Sequence, residues 1–319
     1  MKYGIIGAGA MGYRYGVLLQ ENAGLEVDFV DTWQPNVERV REQGGVYVSR
    51  DHQDKKLVPI NIYYPEEYDG HPDVWIIFKK QMQLSEELKR DQAANIFYDD
   101  QYVFSAMNGL GHFEKIEQYF DKNKILCGTA MIATVLNGPG DVDFMGPKNG
   151  EEMHMAPYND KKPDEIMNSI FEDFKKATLG PVMTNDWLGM CMTKVSFNAV
   201  ANTLCTMFEV TMGQFIEYPG ASEMATQLFN EAHDACERAG IYLIDNRQEQ
   251  VQSVIDSGVK LKYHYPSMYQ DFSKGRMTEV DYINGYIANI GRKNNYICST
   301  HEFIVHEVHL AELTRKYRN

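Results

Sequence analysis

A short apolar strand that runs directly into a glycine-spaced turn and then a helix constrains this chain more than any other feature. Tyr3-Gly4-Ile5-Ile6 reads as a buried parallel strand, Gly7-Ala8-Gly9-Ala10-Met11-Gly12 as the turn, and the residues through Leu19 as a helix. In a G-x-G-x-x-G turn the first glycine permits the tight bend, the second lets backbone approach a pyrophosphate, and the third lets helix and strand pack closely. The new helix then offers free N–H groups and the positive end of its dipole to the phosphates. A second strand over 26–30 ends at Asp31, about 20 residues beyond the last glycine, where a carboxylate would accept hydrogen bonds from an adenosine ribose. Strand before, helix after and acid at that distance point to a Rossmann dinucleotide-binding unit. Its cofactor-binding positions would be Gly7, Ala8, Gly9, Ala10, Met11, Gly12 and Asp31.

The 319 residues suggest two domains. A net charge of −14 argues against nucleic acid and anionic membrane surfaces as partners, so an anionic substrate must be held by a local cation. No run reaches transmembrane length and no signal peptide precedes the first strand, so a cytoplasmic location is expected. Cys127, Cys191, Cys205, Cys236 and Cys298 are scattered and never form C-x-x-C. They read as reduced, mostly buried thiols with no activating histidine or cation close in sequence.

The first half alternates strands and helices. After a short helix over 36–43 comes an irregular charged stretch over 50–56 and a strand over 57–63. Further strands are expected at 73–78 and 102–106, with helices to residue 94 and over 112–120. This alternation implies a parallel sheet covered on both faces. Right-handed crossovers then place the strand-end loops, with Lys80 and Asn108, along the binding edge. From 136 to 162, Gly138-Pro139-Gly140, Gly146-Pro147 and Asn149-Gly150 punctuate alternating segments, 141–144 and 152–155, that read as antiparallel strands extending the sheet. A helix over 164–177 follows. The expected domains are 1–184, the dinucleotide-binding domain, and 185–319, a helical catalytic domain.

The second half reads as helical. Residues 187–208 are mostly apolar but carry Lys194, Asn198 and Asn202 four apart, on one face. Burying such a row costs several kcal/mol unless each group finds a partner. It is either a satisfied structural network or an acid–base site, and a lysine in so apolar a stretch favours the site. Glu279, Ile283 and Ile287 share a helical face, so the Glu279 carboxylate points inward and wants a cation, with Lys194 the candidate. Thr278 or Thr300 would cap a helix. His301 and His306 stand one position further apart than the zinc-protease spacing, and with His309 they read as surface or satisfied histidines, not metal ligands.

Taken together, the glycine turn, Asn108-Gly109-Leu110-Gly111, Lys194-x-x-x-Asn198-x-x-x-Asn202, Pro266-Ser267-Met268-x-Gln270-Asp271 and Thr278-Glu279-x-Asp281-Tyr282-Ile283-Asn284-Gly285 resemble the ketopantoate reductase family over nearly the whole chain. The resemblance implies a Rossmann domain followed by an all-helical domain, with the active site in the cleft. It implies that Lys194 is the general acid and that Glu279 supports it and touches the cofactor. Asn108, Asn198, Asn202 and Ser267 would contact substrate or cofactor, and Lys80 would lie near the nicotinamide ribose. Two departures stand out: Thr203 replaces a proline, and Asp31 stands where members that use NADPH carry a basic or neutral residue. Asp31 suits the 2′-hydroxyl of NAD and would repel the 2′-phosphate of NADP, with no compensating cation evident nearer than Arg39 and Arg41. The chain thus looks like the NAD-linked branch, similar to D-mandelate and other D-2-hydroxyacid dehydrogenases acting on small 2-oxo or 2-hydroxy acids. Ketopantoate reduction with NADP as cofactor is the alternative, a silent dinucleotide sensor a distant one, and a homodimer is expected.

Overall fold

The computed structural model describes residues 1–146 and 153–317. Pro147, the Asn149-Gly150 turn and Glu152 lie outside the described residues. The chain divides into two compact units, Met1–Met107 with His112–Trp187, and Asn108–Gly111 with Leu188–Asn319.

The first unit is α/β. Its strands are β1 (Lys2–Ile6), β2 (Glu26–Val30), β3 (Val46–Arg50), β4 (Gln53–Val58), β5 (Asn61–Tyr63), β6 (Val74–Ile77), β7 (Tyr102–Ser105), β8 (Ile125–Ala130), β9 (Thr134–Gly138), β10 (Asp141–Phe144), β11 (Met153–Pro157) and β12 (Pro181–Met183). Helices α1 (Ala10–Ala23), α2 (Gln34–Gln43), α3 (Leu84–Ala93), α4 (Phe113–Ile116) and α5 (Glu165–Lys176) accompany them. Eight strands form the main sheet in the order β12-β11-β8-β7-β6-β1-β2-β5. From β8 to β5 every neighbouring pair is parallel, and β11 joins β8 antiparallel. The central strands are uniformly apolar because both faces are covered. On α1, for example, Tyr15 lies against Phe78, Phe104 and Phe174.

The charged stretch over 50–56 is not irregular. Asp51 and His52, at φ 50° and 63°, form a two-residue loop with both central residues left-handed, and β3 and β4 pair antiparallel across it. The usual Asn-Gly signal is absent, and β4 is an exposed lysine-bearing strand of the kind that protects a sheet edge. The strand expected over 57–63 is accordingly split between β4 and β5. Nor does 141–144 extend the main sheet. It is β10, in a second sheet of order β4-β3-β10-β9, while β11 alone continues the first. Buried Arg14 of α1 fastens that second sheet, donating to Ala133 O and Thr134 Oγ1 at 2.7 and 3.2 Å and lying over the Phe144 ring.

The second unit is helical. It comprises α6 (Trp187–Met207), whose first residue belongs to the first unit, then α7 (Met212–Glu217), α8 (Ala221–Arg238), α9 (Arg247–Lys260), α10 (Ser267–Ser273), α11 (Asn284–Lys293) and α12 (Ser299–Thr314). Capping boxes at Thr211/Gln214 and Asn246/Glu249 start α7 and α9. Neither threonine expected as a helix cap serves as one. Thr300 lies inside α12, and the buried Glu231 carboxylate of α8 accepts from Thr300 N and His301 N instead. Thr278 precedes only a 3₁₀ turn, Val280–Tyr282. The continuous helix expected over 279–287 is therefore broken, with Ile283 at φ −114° and ψ −88° between the turn and α11, although Glu279, Ile283 and Ile287 are all buried. Among the described residues no helix is long and apolar enough to cross a membrane.

Candidate functional site

In the first unit the strand-end loops of β1, β2 and β6 meet. Gly7, at φ +99°, turns the chain out of β1. A Cβ on Gly12 would fall 2.0 Å from Gly7 O, so only glycine permits this closeness of helix and strand. Above Gly9 a Cβ would meet nothing within 4 Å, and α1 has neither a side-chain cap nor an acid in its first turn. Open space above uncapped N–H groups at a positive dipole end fits a dinucleotide's diphosphate. Ala10 and Met11 open that helix.

Asp31 stands at the end of β2, as its place in sequence requires, but its carboxylate is held by the protein. Oδ2 accepts from Ala8 N at 3.0 Å and Asn36 Nδ2 at 3.4 Å. Oδ1 accepts from Thr32 N at 2.7 Å and Trp33 N at 3.3 Å, and pairs with Lys79 Nζ at 3.1 Å. A cation therefore does neighbour Asp31, contrary to the sequence expectation. It is Lys79, the residue before the lysine that expectation singled out. β6 and β2 flank β1 in the sheet, which brings their ends within reach of one long side chain although 48 positions separate them. Burial disfavours the charged amine of Lys79, but Asp31 and Glu87 outweigh it and raise its pKa. One turn beyond Glu87 on α3, Asp91 is buried with Oδ2 unpartnered among the described residues; burial first, with Glu87 adding and Lys79 opposing, pushes its pKa up to about 7. Lys80 begins the turn into α3, its carbonyl accepting from Gln83 N and Leu84 N.

In the second unit α6 carries Lys194, Asn198 and Asn202. Both asparagines are buried and Lys194 is half-buried. Burial lowers the Lys194 pKa to about 8, while Cys191 and Glu279 pull it the other way. The Glu279 carboxylate thus acts on Lys194 from a non-helical turn. Cys191 sits one helical turn before Lys194, so one cysteine does have a neighbouring cation, which corrects the sequence expectation. Asn202 Nδ2 donates to Ser267 Oγ at 3.3 Å, joining α6 to the start of α10. Asn108 falls in the loop that packs with this unit: Leu110 N donates to Tyr282 O at 2.9 Å, and a Cβ on Gly109, at φ +76°, would lie 2.7 Å from that same oxygen. The loop bearing Asn108 and the turn after Glu279 are therefore fixed to each other.

All five cysteines are buried and free. His301 is buried, with Nε2 3.0 Å from Leu228 O, and His309 bridges Asp281 and Glu312. Among the described residues no group of three or more His, Cys, Asp or Glu could hold a metal ion.

Residues 3–159 match Ketopantoate reductase PanE/ApbA, and residues 186–312 match Ketopantoate reductase PanE/ApbA C terminal. The 2-dehydropantoate 2-reductase of Streptococcus pyogenes serotype M3 is 30% identical over 291 residues, 91% of each chain. That of Lactococcus lactis subsp. lactis is 29% identical over 317 residues, 98% of each. Among solved structures, D-mandelate dehydrogenase with NADH and anilino(oxo)acetate superposes at a TM-score of 0.89 with 28% identity, covering 98% of this chain and 99% of that one. Matched from the first strand to the last helix, the chain belongs to the ketopantoate reductase PanE/ApbA family.

Proposed function

We propose that the protein is a nicotinamide-dependent 2-oxo acid reductase that interconverts a 2-oxo acid and its D-2-hydroxy acid. The observation that carries this is Lys194, with its pKa lowered to about 8, on one helix face with two buried asparagines and under the influence of the Glu279 carboxylate. A bound nicotinamide dinucleotide would supply or accept the hydride at C2. Gly7 through Gly12 hold its diphosphate in the first unit. Lys194 gives its proton to the C2 oxygen in reduction and takes one from the hydroxyl in oxidation, and solvent restores the amine afterwards. Such general acid–base help is worth roughly 10² to 10⁴ in rate. Glu279 steadies the ammonium form of Lys194. Asn198, Asn202 and Ser267 orient the substrate carboxylate and carbonyl, Asn108 adds a contact from its loop, and Lys80 adds one to the cofactor.

The better-supported substrate is 2-dehydropantoate, after which the curated relatives are named. A second reading, a D-mandelate-type dehydrogenase for bulky or branched 2-oxo acids with NADH, is favoured by the fit to D-mandelate dehydrogenase and by the carboxylate at position 31. The test is a panel of 2-oxo acids, with 2-dehydropantoate, phenylglyoxylate and branched-chain oxo acids, assayed with NADH and NADPH in parallel. The highest kcat/KM on 2-dehydropantoate supports the first substrate, and a clear preference for phenylglyoxylate the second. Absence of turnover on every 2-oxo acid with both cofactors would remove the proposal.

A further inference from the structure

The carboxylate at the end of the second strand is the expected selector of NAD over NADP, but here it is already occupied. A carboxylate offers about four lone-pair directions, and Asp31 receives five protein donors. Its bond from Ala8 N, inside the glycine turn, makes it a brace for the phosphate loop. Lys79 would be the natural recruiter of a 2′-phosphate, but it too is spent. Its ammonium has three protons, and three acceptors surround it: Asp31 Oδ1 at 3.1 Å, Thr32 Oγ1 at 3.3 Å and Glu87 Oε2 at 3.4 Å.

Glu87 differs from both. Its side chain is 18% exposed against 8% for Asp31 and for Lys79, so it is the member of the cluster most open to a ligand. Its printed partners are Lys79 and the Thr32 hydroxyl, which donates to both carboxylate oxygens at 2.8 and 2.9 Å. These contacts fix the carboxylate beside the residue that follows Asp31. Two carboxylates against one ammonium leave the cluster negative. An open cavity beside Thr32 continues that sign, since it is lined by Glu38, Glu66 and Glu67, and its cation, Arg90, is bound to Glu66 at 2.6 and 3.0 Å.

We infer that Glu87, held by Lys79 and Thr32, is the carboxylate that rejects a phosphate on the 2′-oxygen of the cofactor, so that NAD over NADP is chosen by this clamp and not by Asp31 alone. This rests on the dinucleotide-binding half of the proposed function and not on the identity of the 2-oxo acid. Glu87 is placed here as a specificity-determining residue, and its charge, not its bulk, does the discriminating.

The test is direct binding, by calorimetry or nicotinamide fluorescence, of NADH and NADPH to wild type, Glu87→Gln, Thr32→Val and the control Glu86→Gln, whose side chain is 81% exposed and paired only along its own helix with Lys89. 5′-AMP and 2′,5′-ADP serve as probes lacking the nicotinamide, and melting temperatures are recorded throughout. Wild type is expected to favour NADH at least tenfold. Glu87→Gln should shrink that preference at least tenfold, chiefly by tightening NADPH and 2′,5′-ADP while AMP binding stays near wild type. Thr32→Val, which frees the carboxylate from its hydroxyl, should shrink it less, and Glu86→Gln should leave it unchanged. An unchanged NADH:NADPH ratio in a folded Glu87→Gln overturns the inference and leaves the proposed reaction standing. If that variant does not fold, an unchanged ratio in Thr32→Val overturns it in the same way. A wild type that binds neither dinucleotide overturns both the inference and the proposed function, whereas the expected shift without turnover on any 2-oxo acid overturns the function alone.

Discussion

The strand-end cluster of the first unit and the polar face of α6 in the second treat their charged groups in opposite ways. At the end of β2, Asp31 and Lys79 are bound to each other and to fixed neighbours, so both charges are stabilised and neither is left over. On α6, burial presses on Lys194 enough to bring its pKa down to about 8, and Glu279 and Cys191 offset only part of this. A group that must hold a ligand still is best fully satisfied, whereas one that must exchange a proton needs its two forms close in free energy. The contrast separates binding from chemistry along the sequence.

The largest expected effect breaks the chemical side alone. Lys194→Ala should lower kcat by roughly 10² to 10⁴, with the dissociation constant for NADH near wild type and no loss of melting temperature, because removing a poorly solvated amine relieves a burial cost. Stopped-flow reduction and fluorescence titration give the two numbers separately. Near-normal turnover would reassign the α6 stripe to a structural network.

Next, Asp31→Ala should break the binding side and the fold together. It orphans Lys79 and leaves Ala8 N and Thr32 N without their acceptor. Removing one member of a buried pair costs about 3–5 kcal/mol, measurable by urea denaturation. A variant of unaltered stability that changed only cofactor choice would show that Asp31 serves the ribose and not the loop.

The pH profile sharpens the comparison within the active range. Reduction needs protonated Lys194, so kcat/KM for the 2-oxo acid should be level below pH 7 and fall as pH rises through about 8. Oxidation needs the free amine and should rise over the same interval. Glu279→Gln withdraws a neighbour that favours the ammonium form, so both inflections should move to lower pH. Inflections that stay at the wild-type pH in Glu279→Gln would remove Glu279 from the site.

The difference between the two regions also explains what could be read from sequence. The glycine turn, Asp31 and the Lys194 stripe are local: each is a spacing within one strand–turn–helix or along one helix face, and the structure places them as that spacing requires. Lys79 and Glu87 were hidden because their meeting with Asp31 depends on strand order, and Lys79-Lys80 offers two equivalent lysines until the sheet chooses one. The β3–β4 hairpin was hidden because Asp51-His52 adopts a conformation usually marked by Asn-Gly. Around Glu279 the apolar spacing marked the buried face correctly but could not show the break at Ile283, which is where the Asn108 loop packs in against Tyr282.

The smallest effect concerns Thr203, where the family resemblance leads one to expect proline. Thr203 Oγ1 donates to Asn284 Oδ1 at 2.8 Å, and Asn284 Nδ2 donates to Ala199 O at 3.0 Å and lies 3.2 Å from His301 Nδ1. All three side chains are buried, so the network joins α6 to α11 and α12 beneath the stripe without carrying any of its chemistry. Thr203→Val removes one donor and leaves a buried amide oxygen short of a partner, at a cost of about 1–3 kcal/mol. Thr203→Pro removes the same donor and also the helix N–H that would bond Ala199 O. That carbonyl keeps the Asn284 amide, however, so the added cost should fall below the usual ~3 kcal/mol for proline inside a helix. Both variants should retain kcat within about twofold, since a stability change of this size leaves most of the protein folded. Denaturation midpoints and steady-state rates measured on the same samples decide it. A kcat that falls in step with stability would mean that the α6 site draws its geometry from this network, and the separation between its chemistry and its support would be lost.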